Sequence, residues 1–152
     1  MAGEGILGGI ISGVMDSLSA IRTAGGFNFD VYNVDEAASM PTKFPTVHVV
    51  LSEDTNPGDF DFGGNTLIRP TAILDVAGWI QTRTNLDPRM RLMRDDIRSA
   101  MAANTSQGGI AHDTIYRGCT YYRIDLDQGI GASVCRFQIP FFEELADPTA
   151  NG

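Results

Sequence analysis

The chain predicts an α+β fold: a mostly antiparallel sheet of four to five strands with two helices packed on one face. Three observations carry this. Residues 71–80 alternate at period two, with Ala72, Leu74, Val76 and Ile80 on one side and Thr71, Asp75, Ala77 and Trp79 on the other. After a short polar connection, Met90, Met93, Ile97, Ala100 and Met101 recur at helical steps of three and four, so their stripe suits the strand's apolar side. Residues 114–126 and 132–142 then read as two long strands joined by a turn at 127–131. The stretch from Thr66 to Asn104 is the unit around which the rest is organised.

Taken in order, residues 4–22 predict a first helix, because Ile6, Leu7, Ile10, Ile11, Val14, Leu18 and Ile21 follow the helical step. Its glycines, Gly5, Gly8, Gly9 and Gly13, each weaken it by about 1 kcal/mol against alanine, so packing must hold it. The polar side lacks the lysines and arginines of a membrane-surface helix. Ala24-Gly25-Gly26 predicts its stop. Residues 27–34 alternate as a strand, with Phe27, Phe29 and Val31 on one side. Residues 35–44 form a connection, and 46–51 predict the next strand with Val47, Val49 and Leu51 inward and His48 on the opposite face.

Residues 53–65 are the conspicuous irregular segment, with four acids, three glycines, a proline and two phenylalanines. Three readings compete there: a surface loop, a partner-binding loop anchored by Phe60 and Phe62, and a calcium site built from Glu53, Asn56, Asp59 and Asp61. The spacing does not match an EF-hand. Beyond it, Asp87 predicts the second helix's N-cap with Pro88 as its first residue, and Arg91, Asp95 and Arg98 predict ion pairs along its wet side. Gly118 predicts a bulge, and Arg123, Asp125 and Arg136 predict cross-strand pairing. Cys119 and Cys135 are expected to approach each other as free thiols. The acidic segment 143–152 is expected to be frayed.

A length of 152 residues predicts one domain spanning 1–152. The net charge of −8 argues against a protein that grips nucleic acid by neutralising phosphates. No apolar run approaches transmembrane length, and an N-terminus with Glu4 and five glycines before Asp16 does not read as a signal peptide. Two cysteines form neither a metal spacing nor a secreted disulfide framework, so a reducing, cytoplasmic site of folding is expected. Only His48 and His112 could serve as imidazole bases, and no P-loop, G-x-S-x-G or G-x-G-x-x-G occurs. The expectation is no enzyme, no catalytic residue, no cofactor and no metal. A small metal-dependent hydrolase using acids of 53–61 is the remote alternative.

Several local texts carry a resemblance: Pro45-Thr46-Val47-His48-Val49 entering a strand, Ile68-Arg69-Pro70 before Ala72-Ile73-Leu74-Asp75-Val76, Asp87-Pro88 opening a helix, and the closing Cys135-Arg136-Phe137-Gln138-Ile139-Pro140-Phe141. With the order of elements over about residues 4–145, the chain resembles the tail terminator (tail completion) proteins of long-tailed bacteriophages. That resemblance implies a virion subunit at the neck, assembled in the host cytoplasm as a hexameric ring. It would cap the tail tube, end its polymerisation and join tail to head. The tail-tube protein would be its partner on one side and a head-completion or connector protein on the other. Another head–tail connector, stopper or tail-tube subunit is the alternative. Six copies at −8 each carry −48, which would let DNA slide through the lumen without binding. The residues expected to meet a neighbouring ring are Asp54, Asp59, Phe60, Asp61 and Phe62, and no membrane is involved.

Overall fold

The computed structural model describes residues 5–36, 39–55, 59–62, 65–68, 70–104, 113–141 and 143–144, with 59–62, 65–68 and 143–144 described by their backbone. Helix α1 runs Gly5–Leu18, followed by a single 3-10 turn at Thr23–Gly25. Strands β1 (Val34–Glu36) and β2 (Thr46–Thr55) come next, then β3 (Asp59–Phe62), β4 (Asn65–Ile68) and β5 (Thr71–Gln81). Helix α2 (Leu86–Ala102) precedes β6 (Ile115–Asp125), β7 (Ile130–Pro140) and β8 (Glu143–Glu144). The main sheet has the order β1-β2-β5-β7-β6, antiparallel throughout except for the β1–β2 pair, and a second sheet has the order β3-β4-β8. This is the α+β, mostly antiparallel architecture that the alternation patterns predict.

The core lies between one face of the main sheet and the two helices. Ala72, Leu74, Val76 and Ile80 of β5 are buried with Cys135, Phe137 and Ile139 of β7, and Met90, Met93, Ile97, Ala100 and Met101 of α2 close over them. Ile6, Ile10, Ile11, Val14 and Leu18 complete the layer from α1. Helix α2 sits close because the sheet is notched beneath it. A Cβ at Gly78 would overlap Met93, whose Sδ would lie at 2.7 Å, and one at Gly131 would lie 2.6 Å from Met90 Sδ. Buried Ser133 fixes the same seam by donating its hydroxyl to the Met90 carbonyl at 2.6 Å.

Several expectations are corrected. The stretch 27–34 is not a strand. Its alternation does bury Phe29 and Val31, but the amides of Asn28 and Phe29 donate to the carboxylate of Asp96, each at 3.0 Å, instead of to a ladder. Only 34–36 pairs with β2, in parallel. Leu51 is 37% exposed although it belongs to the inward row, because β1 ends opposite Val49 and the register shifts between Leu51 and Glu53. The first helix is shorter than 4–22: the Ser17 and Ser19 hydroxyls take the carbonyls of Gly13 and Met15 in its last turns. The cap of α2 is Asn85 in the left-handed region that asparagine tolerates, which places Asp87 inside the first turn.

The expected ion pairs also change partners. Asp95 is held by Arg94 at 2.9 Å, Arg123 reaches Asp87 on α2 at 2.8 Å, and Arg136 pairs with Asp75 directly across from it on β5 at 2.9 Å. Gly118 has a φ of 121° where the β6–β7 register shifts, so the expected bulge is present. Cys119 and Cys135 face each other in register as free thiols.

Candidate functional site

In the segment expected to be an irregular loop, 53–65, the described residues are strands, and 56–58 and 63–64 lie outside the described residues. Glu53, Asp54 and Thr55 finish β2, while Asp59–Phe62 and Asn65–Ile68 form an antiparallel pair in which Asp59 opposes Ile68 and Phe62 opposes Asn65. Strict alternation in Asp59-Phe60-Asp61-Phe62, and two glycines between the paired Phe62 and Asn65, are the sequence signals for a tight hairpin. Likewise Glu143 and Glu144, expected to fray, pair with Ile68 and Leu67, and 145–152 lie outside the described residues.

The order of the small sheet explains its position. β3, β4 and β8 are the chain continuations of β2, β5 and β7, and the two sheets keep the same order. The ladders of the main sheet end at Thr55↔Thr71 and Thr71↔Pro140. Pro70 carries no N–H, so it interrupts the ladder there, but its carbonyl accepts from Phe141 N at 3.1 Å and keeps the two halves aligned. The small sheet is therefore an arm formed by the three central strands running past the core. β3 pairs with β4, and β4 with β8.

Of the residues expected to bind a partner, Asp59, Phe60, Asp61 and Phe62 make up β3, and Asp54 stands at its root in β2. In the sequence of β3 the two aspartates and the two phenylalanines alternate. The run from Glu53 to Ile68 contains four acids and no lysine, arginine or histidine. Partial desolvation holds the Asp54 carboxyl above its ordinary range.

The residues considered for chemistry are scattered. His48 is buried on the opposite face of β2 as expected, edge-on to Trp79 with ring centroids 5.9 Å apart, and burial lowers its pKa against a smaller opposing pull from Asp35. His112 and Asn56 lie outside the described residues. Among the described residues no three His, Cys, Asp or Glu side chains converge as a metal site. At the cysteine pair, the Cys135 thiol is pushed up by its hydrogen bond to Cys119 and by burial, while Cys119 is lowered by accepting that bond.

Two features were missed in the sequence. Asp96, which nothing in the sequence singles out from its neighbour Asp95, is buried and holds the 28–29 segment. Arg91, Arg94 and Arg98 share one side of α2 beside β6, with the Arg98 guanidinium 4.3 Å from the centre of the Tyr116 ring. Their spacing of three and four was the available signal.

No protein-family model matches the chain, and no curated protein matches it. Among solved structures it is similar to a chain of the virion of a native gene transfer agent particle, at 10% identity over 87% of this chain and 93% of that one, with a TM-score of 0.47. A likeness that distant carries no function to this chain.

Proposed function

We propose that this chain is a structural virion subunit of the tailed-bacteriophage type, a tail terminator whose ring caps the tail tube, ends its growth and joins tail to head. The observation that carries this reading is the arm. Three strands of the main sheet are followed or preceded in the chain by the strands of a small second sheet, and the sequence of that segment joins acids with two phenylalanines. A segment of that composition, held out by the body's own strands, suits a contact with another subunit. The sequence resemblance to tail terminators and the acidic balance of the chain support the same reading. In a ring of such subunits, the acidic lumen lets DNA pass without being held.

Within this reading Asp54, Asp59, Phe60, Asp61 and Phe62 are the partner-binding residues, and the chemistry is assembly, with no catalytic step. Two aromatic anchors desolvated at a contact contribute about 2 kcal/mol each. Phe60→Ser with Phe62→Ser should leave the thermal midpoint within a degree or two, by the rule that side chains outside a core contribute little to folding. The same variant should lower the yield of joined particles. Antibody labelling of particles should place the chain at the top of the tail. Label along the whole tail would make it a tube subunit, label on the head side alone would make it a connector, and a normal yield from the variant would leave the arm idle.

A further inference from the structure

We infer that the arm's receptor is a second copy of this chain: the basic cleft between α2 and β6, which takes the acidic Asp59–Phe62 strand of its neighbour. The inference rests on the ring-forming reading and names the surface that closes the ring. Charge complementarity is the first support. On a chain of net charge −8, Arg91, Arg94, Arg98 and Arg123 gather along one side of α2 and β6 against the exposed Asp87 and Asp95. This arginine-bearing side of α2 is a positive patch, and Arg98 carries it into the cleft at the helix's C-terminal end, whereas the arm from Glu53 to Ile68 has acids and no basic residue. Two subunits that repel over most of their surfaces are attracted where these two patches meet.

Shape and chemistry agree with charge. Beside the arginine stripe lies a cleft of about 330 Å³, lined by Arg98, Ser99, Ala102, Thr114 and Tyr116, with the buried Phe137 contributing to its floor. An aromatic ring and a guanidinium in its lining suit a segment whose sequence alternates aspartate and phenylalanine. The ion pairs now made by Arg94 and Arg123 are exposed, so exchanging them for a neighbour's carboxylates costs little. Arm and cleft are different surfaces, so the contact is head-to-tail, the kind that closes into a ring when the rotation between copies allows.

The test is the mass of the purified full chain by sizing with light scattering, across a concentration series and at two ionic strengths. Wild type should assemble, less so at high salt. Arg94→Glu with Arg98→Glu, and separately Asp59→Lys with Asp61→Lys, should each raise the dissociation constant at least about tenfold while circular dichroism and the thermal midpoint stay near wild type. Arg91→Glu with Arg94→Glu, which spares the Arg98–Tyr116 contact, should do the same. Combining the arm reversal with a cleft reversal in one chain should restore assembly. A wild-type chain that is monomeric at every concentration would sink the ring reading, and this inference with it. If wild type assembles, a cleft reversal that assembles normally, or a combined variant no better than its parents, would overturn the cleft alone. An arm reversal that fails beside a normal cleft reversal would assign the arm to a different surface.

Discussion

Asp96 offers the sharpest test of how this fold is held. Its carboxylate, 2% exposed on α2, accepts from Asn28 N and Phe29 N at 3.0 Å and from Asn28 Nδ2 at 2.8 Å. Asn28 is exposed, so its groups would turn to water if the carboxylate were removed. The Phe29 N–H is buried and would not. Asp96→Ala should therefore lose the charge-assisted bonds and strand one amide, a combined effect of about 2–4 kcal/mol. Relief of the buried charge offsets part of this, for a net loss of about 2 kcal/mol. Urea unfolding followed by Trp79, the only tryptophan, measures it. Exchange at the Phe29 amide should rise in the same variant.

The pH dependence decides between two opposing forces on that carboxyl. Burial raises its pKa above 3.8, and the bonds from Asn28 and Phe29 lower it, with burial the larger. A folded pKa above the unfolded one means that the native state binds the proton more tightly. Asp96's contribution is then fully present below the unfolded value and is lost as pH rises through the folded one. Wild type's advantage over Asp96→Asn, which does not titrate, should shrink as pH is raised from acid towards neutral. An advantage that grows over that range would mean that the hydrogen bonds outweigh burial, and the reasoning would be wrong. An Asp96→Ala variant as stable as wild type, with the Phe29 amide still protected, would refute the anchoring itself.

Other perturbations address the core and the absence of cofactor chemistry. Gly78→Ala places a Cβ against Met93 and should destabilise by about 1–3 kcal/mol in thermal or urea melts; adding Met93→Ala should recover part of that loss in a double-mutant cycle. Met93→Asp or Ile97→Asp buries an unpaired charge and should abolish soluble expression, with a loss of several kcal/mol. Chelator treatment should leave both the thermal midpoint and the assembled mass unchanged, and elemental analysis should find no stoichiometric metal; one tightly held ion per chain would revive the calcium reading of the arm acids.

What was legible in the sequence was whatever hydrophobic period alone decides. β5, α2 and β7 each bury the residues that alternation or helical spacing selects, because one face of each element meets the same core. What was not legible depended on partners far away in the chain. Phe29 and Val31 alternate like a strand, yet the amides at 28 and 29 are claimed by a carboxylate 67 or 68 residues later. Asp95 and Asp96 are neighbours of identical chemistry, and only the path of the 28–29 segment makes one wet and the other buried. Arg123 and Arg136 advertised pairing with each other's strands, but helix α2 and β5 supplied the nearer carboxylates.

In the proposed assembly the same strands serve both the core and the contact surface. A disordered loop meeting a partner would lose about 1–2 kcal/mol of backbone entropy for each residue it fixed, cancelling much of what two aromatic anchors contribute. A ribbon already paired as β3-β4-β8 has met most of that cost on folding. It also lies in the chain next to β2, β5 and β7, the central strands of the sheet on which the helices pack. In the proposed contact, prior pairing would raise the effective concentration of the arm at a neighbour's cleft. Repeated around the proposed ring, individually weak contacts would hold the assembly together without a tight pairwise dimer.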